Sequence, residues 1–323
     1  MPSDEKSLIT GVSGQIAGPL ARYLAKDNEV WGVARFRPPE SGVIRQVAAD
    51  TPDPRLTLEA AGIKTVAVDL GSGDLGDLPA DFTYVVHLAV YQVEGVDYDT
   101  ALRVNAEGTG LLMSHCRSAK GFLHMSSCSV YRPRPDDPSH VFAETDALGD
   151  NESPFAPTYS VSKIAAEAVA RYCARQLSLP TTIARMEVSY GRNGGWPAYT
   201  FEAMRAGYPV PLQEPAPNLH TPIHEDDICE QIGPLLEVAS TPALVVNWAG
   251  DDVVSCEDWL AYLGQLSGIS PIPRYEDHWI TNSPADKTKR VELVGPCRVQ
   301  WRDGFRRMLQ ERYPDIELQG TAS

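Results

Sequence analysis

Tyr159 and Lys163 stand four residues apart in the run Tyr159-Ser160-Val161-Ser162-Lys163, so a helix at this point sets the phenol and the ammonium on one face. Such a pair can move a proton. A tyrosine must lose about three pKa units from ~10 to act as a base near neutrality, which costs about 4 kcal/mol. An ammonium ~5 Å away, at an effective dielectric of about 20, supplies about 3 kcal/mol. A second cation close by would supply the remainder. Upstream, the strand-like run Gly121-Phe122-Leu123-His124-Met125 ends in Ser126-Ser127-Cys128-Ser129-Val130-Tyr131. That places hydroxyls at the carboxyl edge of a strand, where open α/β sheets bind ligands and where a serine can hydrogen-bond a substrate carbonyl or alkoxide. A Tyr-x-x-x-Lys spacing alone also describes a surface tyrosine beside a solvated lysine, so its meaning depends on the surrounding pattern.

The N-terminus supplies that pattern. Ser7-Leu8-Ile9-Thr10 runs directly into Gly11-Val12-Ser13-Gly14-Gln15-Ile16-Ala17-Gly18 and then an amphipathic helix. Between a first strand and a first helix, glycines serve a tight turn and a close backbone approach to a pyrophosphate, held by N–H groups of the helix N-terminus. Gly11, Ser13, Gly14, Gln15 and Ile16 are therefore candidate cofactor contacts. The second strand ends Gly32-Val33-Ala34-Arg35-Phe36-Arg37, with no carboxylate to bind a ribose 2′-hydroxyl. Arg35 can accept a 2′-phosphate, which favours NADP(H) while leaving NAD(H) open. The alternative for Arg35 is a solvated side chain at a strand end, and Arg37 either assists it or turns to solvent.

These groups need a scaffold, and the chain's alternation of β-branched runs with helical patterns predicts one. Strands are expected at 7–10, 29–34, 64–68, 83–89, 121–126, 181–188 and 243–248, and helices at 15–26, 100–118, 159–177, 225–238, 257–266 and 301–312. Strands interleaved with helices indicate βαβ units, hence an α/β fold with a Rossmann-type doubly wound parallel sheet. After Gly191 the pattern breaks at Gly194-Gly195-Trp196-Pro197, Tyr208-Pro209-Val210-Pro211 and Pro215-Ala216-Pro217. We expect a dinucleotide-binding domain over 1–190, rejoined by 221–252. A smaller, interleaved C-terminal substrate lobe would take 191–220 and 253–323.

Composition bounds the partners. The 323 residues carry 28 Lys plus Arg against 43 Asp plus Glu, a net charge of −15 that repels phosphate backbones and anionic lipid, so neither nucleic acid nor membrane is expected. No apolar run approaches a membrane span, and Met1-Pro2-Ser3-Asp4-Glu5-Lys6 does not open a signal segment. A cytoplasmic protein is the expectation. The 6 cysteines form no C-x-x-C pair and the 7 histidines no ligand spacing, so reduced thiols and no metal are expected.

At this point the chain resembles the extended short-chain dehydrogenase/reductase family, which includes the NAD-dependent epimerase/dehydratase proteins. The resemblance spans nearly the whole chain. It rests on Thr10-Gly11-Val12-Ser13-Gly14-Gln15-Ile16, Asp69-Leu70, His87-Leu88-Ala89, Val104-Asn105-Ala106-Glu107-Gly108-Thr109, the Ser126–Tyr131 run, Tyr159 with Lys163, and His224-Glu225-Asp226-Asp227, in that order. It implies that Tyr159 is the acid/base, that Lys163 lowers its pKa and holds the nicotinamide ribose, and that Ser127 polarises the substrate oxygen. Asp69 and Leu70 would flank the adenine, Leu88, Ala89 and Val90 would line the cofactor cleft, and Asn105 would brace the framework. On residues alone Asp69 could instead cap a turn and Asn105 a helix. The resemblance further implies a homodimer, paired through the helices at 100–118 and 159–177.

Departures from the family pattern narrow the chemistry. Dehydratases of this family carry an Asp-Glu pair after the catalytic hydroxyl, where this chain has Cys128-Ser129, so 4,6-dehydration is not expected. Nucleotide-sugar members show an Asn and an Arg reaching the substrate phosphates, where this chain has Val188 and His220, and neither is an equivalent donor. Arg192, Arg205 and His224 offer another route. Ser127, Ser129, Tyr159, Glu187, Val188 and His220 are the candidate substrate contacts, with Glu187 alternatively paired to Arg185 or Arg192. Trp196, Tyr199, Phe201, Met204 and Tyr208 form either an aromatic substrate wall or the packing of the second lobe, and packing is favoured. The leading expectation is an NADP(H)-dependent oxidoreductase acting on a carbonyl or secondary alcohol. A sugar epimerase using transient oxidation is the alternative, and a non-catalytic cofactor-binding sensor a third.

Overall fold

The computed structural model describes residues 3–36, 53–149 and 151–320. Seven parallel strands form the central sheet: β1 (Lys6–Thr10), β2 (Glu29–Ala34), β3 (Lys64–Ala67), β4 (Tyr84–His87), β5 (Gly121–Ser127), β6 (Thr181–Met186) and β7 (Leu244–Trp248), in spatial order β3-β2-β1-β4-β5-β6-β7. The near-continuous apolar runs of these strands follow from burial on both faces: Leu8, Ile9, Val85, Val86, Leu123 and Ile183 are wholly buried. One face packs against the Ala17–Leu24 and Glu225–Glu237 helices through Leu20, Leu24, Ile228, Ile232 and Leu235. The other packs against a helical run over 98–115 and the Tyr159–Leu177 helix through Leu112, Met113, Ala170 and Ala174. The sheet is doubly wound.

The chain order reverses between β1 and β4, which lie side by side: β2 and β3 extend the sheet one way, β4 to β7 the other. A crevice therefore opens outside the carboxyl ends of β1 and β4, the place where such sheets take a ligand. The 98–115 run departs from the expected single α-helix: Arg103–Glu107 is a π-helical segment, which rotates Asn105 inward.

Beyond β6 a second apolar cluster gathers Phe201, Met204, Trp259, Leu263, Trp301, Phe305 and Met308 from the helices Trp196–Arg205, Cys256–Ser267 and Trp301–Arg312. The first of these helices falls where Gly-Gly-Trp-Pro reads as a breaker. Pro197 lies in its first turn, where the missing N–H has no intrahelical partner to lose. Phe201 and Met204 are core residues, Tyr208 is exposed, and only Trp196 and Tyr199 of that aromatic group reach the cleft. Among the described residues no helix is long and apolar enough to cross a membrane, all six cysteines are free, and no side-chain cluster could hold a metal ion.

Candidate active site

The glycine turn is fixed by contact with the chain leaving β4. Gly11 has φ +72°, and a Cβ there would lie 2.9 Å from the Ala89 backbone, so a side chain is excluded both by conformation and by space. Thr10 laces the two strand ends: its hydroxyl accepts from the N–H groups of Leu88 (3.1 Å) and Ala89 (3.0 Å) and meets His87 Nδ1 at 2.7 Å. The Ala17–Leu24 helix then starts with no side-chain cap and no acid in its first turn. Its positive end is left to face an anion, so this end of the cleft fits a dinucleotide pyrophosphate.

Gly11, Ser13, Gly14, Gln15, Ile16, Arg35, Asp69, Leu70, Leu88, Ala89 and Val90 all line one continuous cleft. Asp69 caps a short turn at the rim, its Oδ1 accepting from Gly71 N–H (3.0 Å), while standing on the lining. Arg35 is exposed on the lining, and Arg37 lies outside the described residues. Arg22, missed in the sequence, joins Arg35 on this wall and donates to Thr57 Oγ1 (3.3 Å). Its place one turn beyond the glycine run was the available signal.

Ser127, Ser129 and Tyr159 line the middle of the same cleft. Ser127 ends β5, and its hydroxyl stands beside the Tyr159 phenol at the start of the Tyr159–Leu177 helix, near enough to act on its pKa. Ser160 donates to the Ser129 carbonyl (2.7 Å), fixing that helix start against the strand end. Lys163 and Asn105 do not line the cleft; both are buried beneath it. The Lys163 ammonium donates to the Met125 carbonyl on β5, and burial pushes its pKa down to about 8 against an opposing pull from Glu167. Burial likewise raises the Tyr159 phenol, opposed by the Ser127 hydrogen bond. The Lys163 ammonium is thus engaged with a backbone carbonyl, and burial, Ser127 and Cys128 are the causes that act on Tyr159. Asn105 is not a helix cap: it accepts from Tyr91 N–H (2.7 Å) and donates to the Tyr91 carbonyl and the Ser162 hydroxyl (both 2.9 Å), tying the chain after β4 to the Tyr159–Leu177 helix.

Under this floor lies a buried network that the spacing did not reveal. Arg185 pairs with Glu167 (2.9 and 2.8 Å), which also accepts from Ser126 (2.6 Å), and Arg185 reaches the Tyr131 hydroxyl (3.1 Å). Cys128 donates to the Arg185 carbonyl, and burial raises its thiol pKa, so it is a neutral packing group. His87 and His124, 5.5 Å apart, are driven neutral by burial, His87 to about 3, with Lys163 adding to the effect.

At the far end Glu187 pairs with neither Arg185 nor Arg192. β6 stops at Met186, and the chain leaves the sheet carrying Glu187 to His220 Nδ1 (2.8 Å), their side chains 2% and 1% exposed. The carboxylate also accepts from Ser283 Oγ (2.9 Å), Thr221 N–H (3.0 Å) and its own neighbour Val188 N–H (2.7 Å). Glu187, Val188 and His220 line the cleft together with Ser153, Phe155, Trp196, Trp279, Thr281 and Ser283. Ser153, Phe155, Trp279, Thr281 and Ser283 come from loops, which carry no period to announce them.

A model of the NAD dependent epimerase/dehydratase family matches residues 7–212, more than half of the chain. Among solved structures, the UDP-glucuronic acid 4-epimerase from Bacillus cereus in complex with NAD has a TM-score of 0.75 at 24% identity, covering 94% of this chain and 96% of that one. The UDP-N-acetylglucosamine 4-epimerase from Methanobrevibacter ruminantium M1 in complex with UDP-N-acetylmuramic acid has 0.77 at 17%, covering 97% and 100%. A dTDP-glucose 4,6-dehydratase from Bacillus anthracis in complex with NAD has 0.76 at 17%, covering 95% and 96%. No curated protein matches. The likeness to these structures carries the fold, and the family match adds lineage: this chain belongs to the NAD-dependent epimerase/dehydratase family, the extended short-chain dehydrogenases/reductases.

Proposed function

We propose that the protein is a NAD(P)-dependent oxidoreductase that moves a hydride between a nicotinamide and a carbonyl or secondary alcohol carbon. The observation that carries this is the Ser127–Tyr159 hydroxyl pair in the same cleft as the Gly11–Ile16 turn. A bound nicotinamide would supply or accept the hydride, held by the Gly11, Ser13, Gly14, Gln15 and Ile16 turn with Asp69, Leu70, Leu88, Ala89 and Val90 along the wall. Ser127 donates to the substrate oxygen, and Tyr159 delivers the proton as negative charge develops there. Burial keeps the phenol protonated, which suits the reducing direction. Lys163 and Asn105 act from below, one through the β5 carbonyl edge and one by holding Tyr91 against the helix.

Cys128, a buried neutral thiol, cannot replace a carboxyl pair, which disfavours 4,6-dehydration. Epimerisation by transient oxidation uses the same trio and is the second reading, favoured by the family to which the chain belongs. Arg35 and Arg22 on the adenosine wall support preference for NADP(H), with NAD(H) also accepted. Homodimer formation through the 98–115 and Tyr159–Leu177 helices belongs to the same reading, and sedimentation showing only monomer at micromolar concentration would remove it. The function is tested with NADPH deuterated at the nicotinamide C4. Deuterium appearing on the carbon of a released alcohol supports net reduction; isomer interconversion without net cofactor change supports epimerisation; cofactor binding without either overturns both.

A further inference from the structure

The lobe end of the cleft differs chemically from a site for a nucleoside diphosphate. Its guanidiniums are already engaged: Arg312 donates to Glu202 (2.7 Å) and to the Arg192 carbonyl (3.1 Å), and Arg192 lies 3.5 Å from Glu225. Arg205 is outside the cleft lining and pairs with Asp315 (2.9 Å). His224 is driven to about 4 by burial and caps the Glu225–Glu237 helix through Asp226 N–H (3.1 Å), so it brings no charge. Among the described lining residues on this side, no cation is without a carboxylate partner, while Glu187 adds a buried negative charge. Two phosphates placed there would meet the buried Glu187 carboxylate and would have to draw Arg192 from Glu225 or Arg312 from Glu202.

What the lobe end does offer is a set of buried hydrogen-bonding groups. Glu187 is filled by four donors and fixes the His220 imidazole with its Nδ1–H inward. His220 Nε2 is left buried and without a protein partner on a residue lining the cleft, held edge-on to Trp196 at 4.8 Å between ring centres. Ser153 Oγ and Trp279 Nε1 are two more buried polar atoms without partners on the same lining, and Trp279 packs on Phe155 at 5.6 Å. Buried polar atoms ordinarily find partners, so three orphans around one cleft with an aromatic wall mark a place for ligand hydroxyls.

We propose that the substrate is a hydroxylated ring that carries no phosphate, and that the Glu187–His220 pair positions it by hydrogen-bonding one of its hydroxyls through His220 Nε2. The inference rests on the reading that this cleft binds a nicotinamide dinucleotide and oxidises a carbinol carbon or reduces the corresponding carbonyl. It is tested on the NADP⁺- and NADPH-loaded protein with UDP-glucose and UDP-glucuronic acid against a panel of hexoses, methyl glycosides and cyclitols with their ketones. Turnover is followed by nicotinamide absorbance and by NMR of the ring. We expect a phosphate-free member to exceed both UDP-sugars in kcat/KM by at least about tenfold, and His220→Gln to raise its KM about tenfold with a smaller change in kcat and unchanged cofactor affinity. A UDP-sugar as the better substrate, no panel member exceeding the UDP-sugars, or a His220→Gln effect confined to kcat overturns the proposal. Failure of the wild type to bind either dinucleotide would instead overturn the function on which it rests, which the cofactor titration reads separately.

Discussion

At the dinucleotide end of the cleft, Arg22 and Arg35 stand on the lining with no salt bridge to a described residue, and the carboxylates beside them are turned to backbone N–H groups: Asp53 to Arg55, Asp69 to Gly71. At the lobe end, Arg192 and Arg312 each lie against a carboxylate, and the buried Glu187 is filled by four hydrogen-bond donors. The first arrangement leaves positive charge and helix N–H groups to an anion; the second engages its charged groups with one another or with donors and leaves polar edges. On the proposed reading, the first end takes the anionic cofactor and the second selects the substrate.

The largest effect that would test this division sits at its boundary. Tyr159→Phe keeps the ring packing but removes the proton, so turnover should fall at least ~10²-fold while the cofactor dissociation constant changes by less than about twofold. Stopped-flow hydride transfer and cofactor titration on the same sample check both halves. Normal turnover by this variant would remove Tyr159 from the chemistry, and a matching loss of cofactor affinity would show that the two ends are not separable.

The dinucleotide end was legible because its requirements are local. A strand, a glycine turn and a helix start are consecutive in sequence, and each of the seven sheet strands announces itself as a short β-branched or apolar run between helical patterns. The lobe end was not, because its contacts join residues far apart along the chain. Glu187 had charged neighbours at Arg185 and Arg192, yet Arg185 is taken by Glu167 from the catalytic helix and Arg192 by Glu225. His220 reaches Glu187 only because the strand ends between Arg185 and Glu187 and the chain turns toward the lobe. The Trp196–Arg205 helix was hidden for a related reason: glycine and proline read as loop residues until it is known that Pro197 lies in a first turn.

Lys163 offers the next effect, and it sharpens what lies beneath the boundary. Its folded pKa of about 8 is below the 10.5 of a free lysine. Below pH 8 both folded and unfolded chains hold the proton, and the folded chain bears a desolvation cost of roughly 3 kcal/mol. Between about pH 8 and 10.5 the unfolded chain keeps a proton that the folded one has lost, so this group makes stability rise with pH. Lys163→Met removes the buried charge and also the charge-assisted bond to the Met125 carbonyl, worth about 1.5–3 kcal/mol. The variant should therefore be more stable than wild type at pH 7 by up to about 1.5 kcal/mol, with the advantage shrinking across that window. Urea denaturation at several pH values measures this directly. A variant less stable at pH 7 would mean that the Met125 bond outweighs burial, and that the floor of the site is held together by its lysine rather than strained by it.

The smallest effect concerns the basic wall itself. Arg35 is exposed at the end of β2, where a carboxylate would favour an unmodified ribose, and Arg22 stands on the same lining. A 2′-phosphate presents up to two negative charges to a guanidinium, and a charge-assisted bond of this kind contributes ~1.5–3 kcal/mol. One such bond exceeds the ~1.4 kcal/mol that a tenfold preference requires. The net charge of −15 opposes the more anionic cofactor, but that field is screened over ~8 Å while the guanidinium touches the phosphate. We therefore expect wild type to bind NADP(H) at least about tenfold tighter than NAD(H), and Arg35→Ala to bring the two close together. Arg22→Ala should lower the ratio by less, because its guanidinium also holds Thr57. Dissociation constants for both cofactors decide the matter: tighter NAD(H) binding by wild type, or an unchanged ratio in Arg35→Ala, would mean that this wall carries its charge to solvent and that the contrast between the two ends lies in the glycine turn alone.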